Sequence, residues 1–127
     1  LMVPKIRDVD QMSIKEIGSA LRKTSRLCRD LKIDKKEFFG GSMTISSLGG
    51  IGGTFFTPII NPPEVAILGV GKSFDRLVKV NDKFVSRKIL PISLSYDHRI
   101  IDGAEGARFC VYLGKCLGKD FAFKLAV

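Results

Sequence analysis

A long segment without charge is the feature that most constrains the fold of this chain. Residues 38–63 contain no charged side chain, but they include six glycines and three prolines. Proline and glycine at this density disrupt helices, so the segment is not expected to span a membrane. An uncharged segment outside lipid is most stable when protein covers it. The sequence therefore predicts that residues 38–63 are buried, in a core or at a subunit interface.

A glycine-rich loop is predicted inside that segment, over residues 47–53 (SLGGIGG). Glycine adopts positive φ at the least cost, so the loop is expected to have unusual backbone dihedrals. It could hold a ligand by its backbone amides, or it could be a tight turn buried against a neighbouring subunit. No G-x-S-x-G elbow is present, so Ser46 and Ser47 are not obvious hydrolase nucleophiles. The residues alone favour the buried turn.

Two helices are predicted from caps and periodicity. Ser13 and Glu16 form the pattern of a capping box, in which each side chain takes a free backbone amide of the other. Apolar residues then recur at helical spacing and predict an amphipathic helix over residues 14–31. A similar spacing predicts a second helix over residues 104–117, and small residues in its first turn allow close packing against other backbone.

Strands are predicted between and around these helices. The expected strands or extended segments are residues 2–6, 42–46, 55–60, 65–70, 76–80, 84–89 and 90–96. The run over residues 65–70 is apolar throughout, which is typical of a central strand covered on both faces. Asn81 and Asp82 predict the polar turn of a hairpin. Helices and strands alternate, which favours an α/β layered domain.

Composition argues against nucleic-acid and metal sites. The net charge is +8, but no RNA-binding signature with interleaved aromatic residues accompanies it, so a solvated basic surface is favoured. Cys28, Cys110 and Cys116 form no C-x-x-C pair, and the chain has one histidine. The thiols are therefore expected to be reduced, and neither a zinc site nor a nucleic-acid partner is expected.

The only histidine, His98, lies in the stretch SYDHRIIDG. An isolated histidine at a strand end is more often a hydrogen-bonded structural residue than a catalyst. Three features favour chemistry here. The apolar strand predicts a dry setting in which the imidazole stays neutral and can accept a proton. Asp102, four residues on, could fix the local geometry, and Gly103 permits a sharp entry into the next helix.

These residues resemble the H-x-x-x-D-G signature of the dihydrolipoamide acyltransferases of 2-oxo acid dehydrogenase complexes. The likeness extends over GGSMTISSLGGIGGTFFTPIINPPEVAILGVGKS and LPISLSYDHRIIDGAEGARF, and over nearly all of the 127 residues. It implies an α/β two-layer sandwich with a mixed sheet, the coenzyme A-dependent acyltransferase fold related to chloramphenicol acetyltransferase. Residues 1–127 would be the C-terminal portion of one catalytic domain, hence a partial domain.

The resemblance also implies an activity. SSLGGIGGT and GAEGARF are most similar to the members that transfer acetyl groups in bacterial pyruvate dehydrogenase, between a dihydrolipoyl arm and coenzyme A. The family's catalytic histidine matches His98, the hydroxyl that stabilises the oxyanion matches Ser46, and a structural acid matches Asp102. His98 and Ser46 would meet across an interface of a homotrimer. The arginine that anchors the acid belongs to a part of the family's domain not found here.

Alternatives, partners and location are implied in the same way. The chain could be an inactive structural or assembly fragment of such a core, or could serve a succinyl- or branched-chain-type complex. Coenzyme A is the expected substrate, and the lipoyl group would be carried on a domain that this sequence lacks. The trimer would assemble into a larger core that meets a 2-oxo acid decarboxylase and a dihydrolipoamide dehydrogenase through further absent domains. The expected location is the bacterial cytoplasm, or the mitochondrial matrix of a eukaryote.

Overall fold

The structure is a computed structural model that describes residues 1–118 and residue 121. The chain divides into two compact units, Leu1–Ser42 together with Gly114–Val127, and Met43–Leu113. The expected domain of residues 1–127 includes residues 119, 120 and 122–127, which lie outside the described part. The helices and strands are α1 (Ile14–Arg29), β1 (Thr44–Ser47), β2 (Ala66–Val70), β3 (Phe74–Val80), β4 (Lys83–Ile89), β5 (Ile92–Tyr96) and α2 (Gly103–Cys116).

Helix α1 begins at the predicted capping box. The Ser13 hydroxyl accepts a hydrogen bond from the Glu16 backbone N–H, and the Glu16 carboxylate accepts one from the Ser13 backbone N–H at 2.8 Å. Arg26 and Arg29 lie in the last turn, where cations stabilise the helix dipole. The helix ends two residues before the prediction, and Leu31 follows with a φ of 54°.

The strand predicted over residues 2–6 is wrong. This segment is irregular, and the Lys5 backbone N–H donates to the Glu37 carbonyl at 2.7 Å. Glu37 belongs to a short 3-10 helix, Lys35–Phe38, which is capped by Asp34. One backbone N–H of this segment thus bonds to a helical turn distant in sequence rather than to a neighbouring strand.

The second unit contains a three-stranded mixed sheet in the order β1-β2-β5. Strand β1 is parallel to β2, and β5 is antiparallel to β2. The central position of β2 confirms the prediction from its continuous apolar run. Ala66, Ile67 and Leu68 of β2 are the buried hydrophobic side chains among the described residues. The mixed sheet also confirms the predicted α/β class.

Strands β3 and β4 form the predicted hairpin. They pair antiparallel from Phe74 with Ile89 to Val80 with Lys83. The two turn residues, Asn81 and Asp82, have positive φ values of 48° and 60°. Both central residues of a type I′ turn need positive φ, and asparagine and aspartate tolerate it better than most residues. The polar turn therefore sets the register of the hairpin.

The uncharged segment over residues 38–63 is mostly exposed in the single chain. Only Thr44 and Pro58 are buried within it, whereas Ile59 is 89% exposed and Phe55 is 70% exposed. Burial in the core of this chain is therefore wrong for most of the segment, and burial at an interface stays a prediction. Among the described residues, no helix has both the length and the apolar character needed to cross a membrane.

Candidate active site

The chain makes a tight turn between β5 and α2, and His98 lies on it. Strand β5 ends at Tyr96. The backbone N–H groups of Ile100 and Ile101 both donate to the Asp97 carbonyl, each at 3.0 Å. His98 is consequently exposed in the single chain. The predicted dry setting is not supplied by this chain alone, because the sheet ends two residues before the imidazole.

An ion pair holds the two residues that flank His98. The Asp97 carboxylate accepts hydrogen bonds from the Arg99 backbone N–H at 3.0 Å, from Nε at 2.9 Å and from Nη2 at 2.6 Å. The hydrogen bonds from the Arg99 side chain, and then that from its backbone, lower the pKa of Asp97 from 3.8 to about 2. This stabilisation is complete above pH 3.8 and is lost as the pH falls through about 2. The ion pair of Asp97 with Arg99 therefore holds the turn throughout the neutral pH range.

Asp102 caps helix α2. Its Oδ1 atom accepts a hydrogen bond from the Glu105 backbone N–H at 2.7 Å, and its carbonyl accepts one from the Gly106 N–H at 3.1 Å. Aspartate is among the best N-cap residues because its oxygen satisfies an N–H that the helix leaves free. The family resemblance predicts no capping role for Asp102, although the D-x-x-E pattern that it forms with Glu105 signals a helix start. Its family role through an arginine stays a prediction.

Substituting Asp102 tests the cap. Asp102→Ala is expected to lower the free energy of unfolding by about 1 kcal/mol, because the Glu105 N–H loses its partner. Asp102→Asn is the matched control and should remain close to wild type, since an asparagine amide oxygen caps as well as a carboxylate. Urea unfolding and amide exchange at Glu105 measure the effect. Equal stability of the two variants would show that the cap is not what Asp102 supplies.

Ser46 lies on β1, an edge strand of the sheet, and is half-buried. It pairs with Gly69 of β2, which in turn pairs with Ser93 of β5, so the three residues form one row across the sheet. A Cβ atom at Gly69 would lie 2.9 Å from Cζ of Phe56. Phe56 therefore covers this face over Gly69, and residues 55–60, expected to be extended, form no strand.

The turn that carries His98 follows Tyr96, whose side chain lies on the face of the sheet opposite Ser46. Tyr96 pairs with Ala66, which is three positions from Gly69, and side chains alternate between faces along a strand. Helix α2 packs on that second face, because a Cβ atom at Gly106 would lie 2.8 Å from Cε1 of Tyr96. Among the described residues, no hydrogen bond joins Ser46 to His98. One chain thus places His98 and Asp102 around one turn, with Ser46 on the other side of the sheet.

The mixed sheet, the helix packed on it and the histidine turn define a portion of an acyltransferase catalytic domain. A solved structure of the Azotobacter vinelandii dihydrolipoamide acetyltransferase matches with a TM-score of 0.90 and 48% identity, covering 95% of this chain and 50% of that one. The solved cubic core of a pyruvate dehydrogenase multienzyme complex matches with a TM-score of 0.90 and 47% identity over the same shares.

The chain belongs to the family described as 2-oxoacid dehydrogenases acyltransferase (catalytic domain), which matches residues 1–122. A relative from Cupriavidus necator is the dihydrolipoyllysine-residue acetyltransferase component of the pyruvate dehydrogenase complex. It is 51% identical over 121 residues, which make up 95% of this chain and 22% of that protein. The chain therefore spans half the length of the solved cores and less of the full relative. These matches confirm the family and the fold predicted from the H-x-x-x-D-G stretch.

Proposed function

We propose that this chain forms the C-terminal portion of a catalytic domain that transfers acetyl between a dihydrolipoyl group and coenzyme A. The observation that carries the proposal is a shared spacing. The serine and histidine studied for their catalytic role in the Azotobacter enzyme are 52 positions apart, and an asparagine follows the histidine by four. Ser46, His98 and Asp102 have the same separations, with aspartate in place of asparagine.

His98 acts as the general base in this proposal. The attacking group is a thiol, and the thiolate is the nucleophile. A model thiol has a pKa of about 8.5 and a model imidazole about 6.5, so full proton transfer between them costs roughly 2.7 kcal/mol. A positioned imidazole can meet this cost when it removes the proton as the sulfur attacks. The imidazolium then returns the proton to the departing sulfur. The acetyl group has thus moved from one sulfur to the other.

Ser46 stabilises the oxyanion. Attack on the thioester carbonyl places negative charge on its oxygen, and the Ser46 hydroxyl donates a hydrogen bond to it. A fixed donor of this kind acts mainly on the transition state, where the charge is largest. The transfer is direct from sulfur to sulfur, so no acyl-serine forms.

The complete site is formed between two copies of the chain. Ser46 and the turn of His98 lie on opposite faces of one sheet, which supports a site in which each copy supplies one of the two side chains. A homotrimer satisfies this arrangement. In a head-to-tail interface around a threefold axis, Ser46 of each copy meets His98 of the next copy, and the ring is closed. The match to a solved cubic core supports assembly of these trimers into a larger particle.

Exposed apolar surface supports the role of this chain as half of a domain. Helix α1 leaves Ile14 56% exposed and Leu21 55% exposed along its apolar face. The second unit has an open cavity of about 380 Å³ beside α2, lined in part by Met43, Leu94 and Phe109. Soluble monomers rarely leave such patches uncovered. The other half of an acyltransferase domain would cover them, as would neighbouring copies.

Partners and location follow from the same assignment. The core would receive acetyl groups from a 2-oxo acid decarboxylase and return dihydrolipoyl groups to a dihydrolipoamide dehydrogenase, through the lipoyl arm. The closely similar relatives are bacterial, which supports the cytoplasm as the location.

The second candidate function is an assembly element without activity of its own, and the exposed position of His98 in the single chain is the observation that favours it.

Acetyl transfer by an assembled particle tests the proposal. The chain is produced alone and together with the preceding half of the catalytic domain of the Cupriavidus necator relative. Transfer from acetyl-coenzyme A to dihydrolipoamide is expected only from the assembled form, because one chain does not bring Ser46 and His98 together. Succinyl-coenzyme A is the matched control and should be used poorly. Assembled particles of folded chains that transfer no acyl group would favour the assembly element instead.

A further inference from the structure

The Tyr96 ring lies beside the imidazole of His98 and against Gly106 of helix α2. The centroids of the two rings are 5.7 Å apart, and the planes are inclined by 37°. Tilted aromatic pairs at 4.5–7 Å are favourable contacts. Tyr96 is itself fixed by the sheet, since it pairs with the buried residue Ala66 of the central strand. The imidazole, which is otherwise exposed, therefore has one rigid neighbour.

Two glycines of α2 shape the other side of this contact. A Cβ atom at Gly106 would lie 2.8 Å from Cε1 and 3.0 Å from Cζ of Tyr96, so only glycine allows the ring to rest on the helix. A Cβ atom at Gly103 would lie 3.8 Å from Nε2 of His98 and 3.9 Å from Oη of Tyr96. Both side chains thus converge above Gly103, at a distance that an alanine methyl would still permit.

We propose that Tyr96 is a positioning residue for His98. Its ring, seated on Gly106, limits the rotation of the imidazole and holds Nε2 above the first turn of α2. Among the described residues, no hydrogen bond joins the Tyr96 hydroxyl to His98, so phenylalanine should replace tyrosine here. The inference rests on the proposed function in one respect, which is that the imidazole held in this way is the base of acetyl transfer. The position of the imidazole is testable without any activity.

The imidazole can be observed directly because His98 is the only histidine in the chain. Histidine labelled with ¹³C gives a single Cε1–H signal, whose shift reports the ring current of Tyr96. Tyr96→Leu and Gly106→Ala are expected to move this signal toward that of a histidine in an unstructured peptide. Tyr96→Phe and Gly103→Ala are the matched controls and should leave it near the wild-type position. The amide signal of Glu105 in each variant verifies that α2 is folded.

Kinetics of the assembled particle give the second readout. Tyr96→Leu is expected to lower kcat about 100-fold with little change in KM for coenzyme A, as a misplaced catalytic group does. Tyr96→Phe should restore transfer. If wild-type particles transfer no acetyl, the proposed function fails, while the imidazole signal still decides the role of Tyr96. An unmoved signal in Tyr96→Leu, or equal shifts in Gly106→Ala and Gly103→Ala, would overturn the inference.

Discussion

Replacing His98 with alanine is expected to lower acetyl transfer by about 10²- to 10⁴-fold, the usual contribution of a positioned general base. The methyl group of alanine cannot take the thiol proton, so only the small fraction of preformed thiolate would react. The effect should fall on kcat, because the imidazole acts while the sulfur attacks rather than when coenzyme A binds. Initial rates with acetyl-coenzyme A and dihydrolipoamide, measured on the assembled particle, give the comparison.

The fold should survive this substitution, which separates lost chemistry from lost structure. The turn is held by the ion pair of Asp97 with Arg99, and α2 is capped by Asp102, so none of these bonds uses the imidazole. Particle size and α2 amide exchange are therefore expected to match the wild type. Free imidazole added to His98→Ala should restore part of the rate, because the missing base is then supplied from solution. Wild-type turnover in His98→Ala would reject the assignment of the base.

Local sequence signals predict the parts of this fold that local interactions decide. The capping box of Ser13 and Glu16 closes within four residues, and the hairpin turn at Asn81 and Asp82 needs only two residues with positive φ. The central strand is also predictable, because an apolar run without alternation needs cover on both faces. In each case the residues that determine the element lie within it or next to it in the sequence.

The failed prediction of a strand over residues 2–6 arises because a partner distant in sequence decides the structure. The apolar residues 2–6 and 55–60 both resemble strands, but neither pairs in the sheet. In the first, Lys5 bonds to Glu37, and in the second, Phe56 rests on Gly69. Hydrophobicity and β propensity are the same for a strand and for a covering segment, so periodicity alone cannot separate them.

The candidate site is predictable in its residues but not in its environment. The H-x-x-x-D-G pattern indicates His98 and Asp102, and the small residues of α2 predict a close approach without naming its partner, which is Tyr96. The sheet register then places Ser46 on the opposite face, a relation that depends on pairing between strands far apart in sequence. A dry environment for His98 would have to come from other polypeptide, which no pattern within this chain describes.

Replacing Ser46 with alanine is expected to lower kcat about 10²- to 10³-fold, the usual effect of removing one oxyanion donor. KM for coenzyme A should change little, since the hydroxyl acts on charge that exists only in the transition state. The substitution removes one oxygen atom from a half-buried position in β1, and particles should assemble normally. Steady-state rates over a range of coenzyme A concentrations separate the two parameters.

The next residue supplies a matched control for this experiment. Ser47 follows Ser46 on the same strand, but it pairs with Val70 and therefore faces the opposite side of the sheet. Within the part of the chain that the structure describes, its hydroxyl accepts a single long hydrogen bond, from the Gly49 N–H at 3.4 Å. Ser47→Ala should keep wild-type kcat, because the hydroxyl that it removes lies on the other face of the sheet. Equal kcat values for Ser46→Ala and Ser47→Ala would remove Ser46 from the mechanism and leave oxyanion stabilisation to another donor.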